Sequence, residues 1–316
     1  MAKQVMIAIG GNSLIKSKDL QRVEDQLQAI RGTIRHVADL IQEGFQVLIS
    51  HGNGPQVGFI MRRSEIALQA IGLHPVPLVS CVADTQGAIG YQIQQSLNNE
   101  LASRGIKTLC AGLITQVVVD ANDPGFAKPS KPIGGFYDRK EVVKIRRDYP
   151  NWALVEDAGR GFRRVVPSPE PKEIVEEAVI KSLLKAGYQV VAVGGGGIPV
   201  VRTAQGLVGV DAVVDKDSAS SLLAGRLGIK RLIISTAVEY VALNFGKPGQ
   251  KEITTLTLKE AERYVRQGHF APGSMLPKIK AAIRFIKNGG KEVIITAPEF
   301  IRDAVMEGRG THILPG

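Results

Sequence analysis

Six short apolar runs, separated by stretches long enough for one or more helices, constrain this chain more than any other feature of it. They are Val5–Ile9, Gln46–Ile49, Thr108–Leu113, Gln189–Val193, Arg231–Ser235 and Glu292–Thr296. Strands that alternate with helices of 3.6-residue period form a parallel sheet covered by helices. Between the first two runs, Leu27, Ile30, Ile34, Val37, Leu40 and Ile41 make one apolar helix stripe that stops at Gly44, a position suited to a C′ glycine. A second stripe, Ile174, Val175, Ala178, Val179, Leu183 and Leu184, is expected to end at Gly187. The middle, about residues 116–169, breaks this rhythm with prolines and short polar runs, so a loop-rich excursion or a small protruding subdomain is expected there.

The 316 residues suit two domains or one large two-lobed α/β unit. Hydrophobic residues at 44% and charged residues at 22% exclude a disordered or fibrous chain. Cys81 and Cys110 both lie in apolar segments and fit buried thiols in a reducing compartment. No segment approaches the apolar length that spans a bilayer, and the N-terminal residues run straight into a strand, so a cytoplasmic location is expected. The net charge of +10 suits either nucleic acid or small anions. Basic residues are mixed with Asp and Glu, and aromatics are only 5%, too few for a stacking platform. Small anions are the better match; no nucleic-acid or membrane partner is expected.

Ligands of open α/β sheets bind at the carboxyl ends of strands. Three of those ends carry glycine clusters: Gly10-Gly11-Asn12, His51 to Gly58, and Gly194 to Gly197. Glycine runs serve φ > 0 or close approach, and four in succession after a buried strand fit either a tight turn or backbone pressed against a ligand. Pro55 suits the first turn of a helix, which aims the amides of Gly52, Asn53 and Gly54 at an anion beyond that helix N-terminus. None of the clusters has Walker A or dinucleotide-fold spacing. Positive charge must come from elsewhere, and three lysines have unusual settings. Lys216 stands between Asp215 and Asp217, where it is either a solvated cap lysine or a held ammonium. Lys278 follows Pro277 in a first helical turn, against the macrodipole. Lys131 lies in a proline-rich loop.

The chain resembles carbamate kinases of the amino-acid kinase superfamily from its first strand to its last residues. The resemblance rests on AIGGNSL, HGNGPQVG, TQVVVDANDPGF, SKPIGGFYD, EDAGRGFRRVVPSP, GGGGIPVV, VVDKDSAS, GHFAPGSMLPK and the closing GTHILPG. It implies a three-layer αβα sandwich with a mainly parallel sheet and a small protruding subdomain at about 116–169. An N-terminal lobe, residues 1–210, holds carbamate or carbamoyl phosphate, and a C-terminal lobe, 211–316, holds the nucleotide. A homodimer and Mg²⁺ carried by ATP or ADP, with no protein-held metal, are implied too. By resemblance, Gly10, Gly11, Asn12, Gly52, Asn53, Gly54 and Lys131 surround carbamate. Lys216 and Lys278 neutralise the migrating phosphoryl group, and Asp217 orients them. Gly195, Gly196, Ala237 and Met275 join Lys216 and Lys278 at the nucleotide, and the four glycines are expected to bring backbone up to its phosphates.

An ionised carbamate oxygen attacks phosphorus directly, so no general base is needed, and His51 is expected to be structural. Some positions depart from the family pattern. Ala237 replaces an aspartate and Leu276 a glycine beside the nucleotide, while Gly135 and Lys128 stand where proline and asparagine are frequent. A catalytically weak member that binds nucleotide or carbamoyl phosphate as a regulator is the alternative. The three retained lysines favour the enzyme.

Overall fold

The computed structural model describes residues 3–14, 20–156 and 161–316. Residues 157–160 of the EDAGRGFRRVVPSP stretch, and the side chain of Asn12, lie outside the described residues. An eight-stranded sheet forms the middle layer. Its order is Thr255–Thr257, Thr311–Leu314, Glu292–Thr296, Arg231–Ser235, Lys3–Ile9, Phe45–His51, Gln189–Val191 and Cys110–Gly112. Six strands run parallel, whereas Thr311–Leu314 runs antiparallel to Glu292–Thr296 and carries the parallel Thr255–Thr257 strand at its other side. Neither of these two strands is among the six runs visible in the sequence.

Period-two alternation in the strands divides the interior into two cores. Val5, Ile7 and Ile9 pack with Ile30, Ile34 and Val37 of the helix Val23–Gln42 and with Ile89, Ile93 and Leu97 of the helix Leu78–Ser103. Met6 and Ala8 face the opposite layer, against Leu223 of the helix Lys216–Arg226 and Ile279, Ala282 and Phe285 of the helix Met275–Lys287. The three-layer αβα sandwich follows. Gly44 and Gly187 have φ of +85° and +88°, the left-handed turns expected after their helices. Cys81 and Cys110 are free and buried. No helix among the described residues is long and apolar enough to cross a membrane.

The second stripe needs correction. Pro171–Ile174 is a strand paired antiparallel with Gln116–Val119, and the helix spans only Glu177–Lys185. Glu176 separates the two: its carboxylate accepts from the Gln116 backbone N at 2.7 Å and from Gln116 Nε2 at 2.9 Å. That anchor sets a helix phase in which Ile180 and Leu184 are buried and Val179 is exposed. In the middle segment, Lys131–Tyr137, Phe162–Val166 and Ala153–Glu156 form a separate antiparallel sheet that carries the helix Arg139–Asp148. Gly58 and Gly134 lie where α-helix and sheet meet, so close that a Cβ on Gly58 would lie 2.8 Å from Gly134 Cα.

The four-glycine turn is packed against the chain itself. A Cβ on Gly194 would lie 2.3 Å from His51 Nε2, on Gly195 2.1 Å from Asn53 Nδ2, on Gly196 2.1 Å from the Val214 carbonyl oxygen, and on Gly197 2.1 Å from Val117 Cγ2. Close approach is the reason for the run, and the approaching groups are protein atoms. Gly195, Gly196 and Gly197 also have φ of +66°, +98° and +86°. The turn enters from Val193, itself at φ +47°, which is why the strand ends at Val191. Gly196→Ala is therefore expected to lower the unfolding free energy by at least ~3 kcal/mol, because strain and a backbone clash combine. Gly32→Ala, in an exposed helix interior with nothing near its Cβ, is expected to raise it by about 0.5–1 kcal/mol. Denaturant titration of both variants checks this, and a Gly196→Ala protein as stable as wild type would contradict the packing described.

Candidate active site

The first central strand lies between Arg231–Ser235 on one side and Phe45–His51 on the other, so chain order reverses beside it. Beyond the carboxyl ends of these strands is a cavity of about 250 Å³. Open α/β sheets place ligands at this kind of crevice. One wall is backbone: Gly10, Gly11, Gly52, Asn53 and Gly54. Gly52 N donates to Ile9 O at 2.9 Å, and a Cβ on Gly52 would lie 2.6 Å from Gly11 N, so these two loops touch without side chains between them. The helix Gly54–Ile71 begins at the cavity with Pro55 in its first turn. Its N-cap residue, Asn53, makes no capping bond and instead donates from Nδ2 to Thr85 Oγ1 at 2.8 Å. The positive end of that helix is left for an anion.

The facing wall is charged. Asp215 caps the helix Lys216–Arg226, accepting from the backbone N of Asp217 at 3.0 Å and of Ser218 at 3.2 Å. Its second carboxylate oxygen accepts from Lys131 Nζ at 2.8 Å, which ties the protruding sheet to this helix. Asp217, almost fully buried, accepts from Lys216 Nζ on one oxygen and from Lys278 Nζ at 3.0 Å on the other. The three lysines and two aspartates thus form one cluster.

Environment divides these charges. Burial and the Lys278 ammonium hold Lys216 below the ordinary lysine range, against the pull of Asp217. Burial alone would raise Asp217, but the two ammonium groups outweigh it and hold the carboxyl well below the usual carboxylate range. Burial also opposes the charge on Lys131, yet Asp215 raises it above the ordinary value. Ser220 Oγ donates to Lys216 O at 2.6 Å and lies 2.6 Å from Ser50 Oγ, which fixes the first turn of the lysine helix to the strand that ends at His51.

Gly10, Gly11, Gly52, Asn53, Gly54, Lys131, Lys216, Asp217, Lys278 and Gly195 all line this cavity. Gly196 is not among its lining residues, and the Val214 carbonyl occupies the place a Cβ on it would take. Met275 and Leu276 pack on the core instead, and Ala237 is exposed beside Thr236, which does line the cavity. Gly273, Ser274, Pro277 and Asp215 are lining residues that the sequence reasoning did not select. The Asp-Lys-Asp run was the available signal for Asp215.

The geometry matches a known family. The amino acid kinase family model matches residues 3–297. The chain belongs to the amino acid kinase family. It is 50% identical over 315 residues to the carbamate kinase-like protein YahI of Escherichia coli, with 99% of each chain covered. It is 45% identical over 313 residues to the carbamate kinase of Clostridium perfringens, covering 98% of this chain and 99% of that one. Among solved structures, carbamate kinase from Giardia lamblia bound to AMP-PNP superposes with a TM-score of 0.92 at 39% identity, over 99% of this chain and 98% of that one.

His51 in this amino acid kinase is buried beneath the glycine loops, with Nδ1 3.1 Å from Gly52 O. As the neutral tautomer it donates there. Burial, aided by Lys216, lowers its pKa to about 4 from an ordinary 6.5. The unfolded chain binds this proton below pH 6.5 while the folded chain resists it, so the associated stability is full above pH 6.5 and is lost as pH falls towards 4. The loss amounts to about 3 kcal/mol. The stability difference between wild type and His51→Gln should shrink by that amount from pH 7 to pH 4 in denaturant titrations, whereas a difference independent of pH would show that His51 is not held neutral.

Proposed function

We propose that this amino acid kinase transfers a phosphoryl group reversibly between ATP and carbamate. The observation that carries the reading is Asp217 held between Lys216 and Lys278, opposite the side-chain-free amides of Gly10, Gly11 and Gly52. The amides and the helix N-terminus at Gly54 suit an anionic acceptor, and the paired lysines suit the charge on the transferring group. The attacking oxygen of carbamate is already ionised; its bond to phosphorus forms as the bond from phosphorus to the ADP oxygen breaks, and no proton needs to move. Lys131, reaching in from the protruding sheet, steadies the carbamate side. Names of relatives at 42–45% identity over nearly the full chain support the substrate.

Asp215 and Asp217 are both engaged by lysines, which supports magnesium held by the nucleotide phosphates and not by carboxylates of the protein. When bound there, magnesium supplies further neutralisation of phosphate charge. We assign residues 1–210 to carbamate and 211–316 to the nucleotide, and place the enzyme in the cytoplasm as a homodimer. Exposed Leu109 and Ile114 flank the edge strand Cys110–Gly112, and exposed Tyr91 lies on the neighbouring helix, a surface suited to a second copy.

Purified protein mixed with ADP, Mg²⁺ and carbamoyl phosphate should yield ATP, and acetylglutamate, aspartate and UMP should not be phosphorylated in the other direction. Lys216→Ala should lower kcat by roughly 10²–10³. Folded wild-type protein that makes no ATP above background would instead be a binder of nucleotide or carbamoyl phosphate.

A further inference from the structure

We propose that a hollow at the opposite end of the central sheet is a second anion site that takes a compact polyphosphate. The strand Lys3–Ile9 joins the two places: Ile9 leads into Gly10 of the active-site cavity, while Lys3 borders the hollow. Seven residues of strand separate them by about 20 Å. The hollow has a volume of about 880 Å³, within the range of small-molecule sites.

Its rim carries Lys3, Lys185, Lys230, Arg231 and Lys291, with Glu292 as its one carboxylate among the described residues. Glu292 is already shared, accepting from Arg231 Nε at 2.5 Å and lying 2.8 Å from His312 Nδ1. The other four cations have no carboxylate partner among the described residues. Lys3 lies 5.8 Å from the centre of the Phe45 ring, and Lys230 Nζ donates to Gly289 O at 3.1 Å. The ammonium groups of Lys185 and Lys291 make no hydrogen bond or ion pair among the described residues. What sets these four apart is their convergence on one hollow; elsewhere on the surface, cations such as Arg104 and Arg302 pair with Asp39 and Glu100 and with Asp303 and Glu307.

Helix ends could account for cations here without any ligand. The turns at Gly44, Gly187, Gly228 and Gly289, all at positive φ, close helices whose carbonyl ends point this way. Lys230 answers one of those carbonyls, but Lys185 and Lys291 answer none. Unneutralised cations on a concave wall focus positive potential and repel one another, and a multiply charged anion relieves both. Lysine ammonium groups are point-charge phosphate binders. Ile41, Phe45 and Ile229 add an apolar floor.

The test is calorimetric titration of the full chain with tripolyphosphate, then with GTP, at low ionic strength. Wild type is expected to bind at two sites. Lys185→Gln/Lys291→Gln, exposed substitutions checked for an unchanged melting temperature, should weaken one of them at least tenfold and leave the other. Lys216→Ala should retain the site that the double variant loses. GTP binding tighter than tripolyphosphate assigns the apolar floor to a base, and equal binding assigns the site to phosphates alone. Identical titrations for wild type and the double variant overturn the proposal.

Discussion

Asp217 accepts from two ammonium groups in a nearly solvent-free position, and the geometry of the active site depends on that one carboxylate. A buried charge is costly unless it is paired and hydrogen-bonded. Here both oxygens are used, and the cation in each bond comes from a different helix: Lys216 opens one, and Lys278 is in the first turns of the other. Asp215 repeats the device one layer out by holding Lys131. Three lysines and two aspartates leave the cluster with one positive charge in excess, facing a wall of amides. An incoming phosphate or carbamate completes it.

Rigidity of the facing wall has a separate origin. His51, Asn53, Val214 and Val117 occupy the four places where side chains of Gly194 to Gly197 would be. The turn therefore locks strand ends from both parts of the sheet together, and Asn53, which lines the cavity, is held by Gly195 on one side and Thr85 on the other. Preorganised amides and lysines need little rearrangement when charge develops, and that is the form of catalysis an acceptor with no proton to lose requires.

Much of this was legible in residue order because the signals are local. Arg231–Ser235 and Glu292–Thr296 are apolar runs bounded by polar turns, and the strands have those limits. The Leu27–Ile41 stripe has an unbroken period and a C′ glycine, and it is a helix. Contacts between distant residues were the part that could not be read. Ile174 and Val179 fit a helix stripe until Glu176 is bound by Gln116, sixty residues earlier in the chain. The short strands Thr255–Thr257 and Thr311–Leu314, at one end of the sheet, have little apolar pattern of their own and depend on their neighbours. Nothing in the sequence places the Val214 carbonyl against Gly196 either. Lys131, Lys216 and Lys278 stand out by their local settings and take their roles, with Asp217, from the family resemblance, whereas the Lys131–Asp215 pair requires the fold.

The central claim is that Asp217 acts through the lysines it holds, and Asp217→Asn tests it most directly. The substitution keeps the shape and removes the charge. Steady-state turnover with ADP and carbamoyl phosphate, measured beside calorimetric ADP binding, separates positioning of the lysines from loss of the fold. The account predicts a kcat lowered roughly a hundredfold in a protein that still binds ADP. Turnover at the wild-type rate would contradict it.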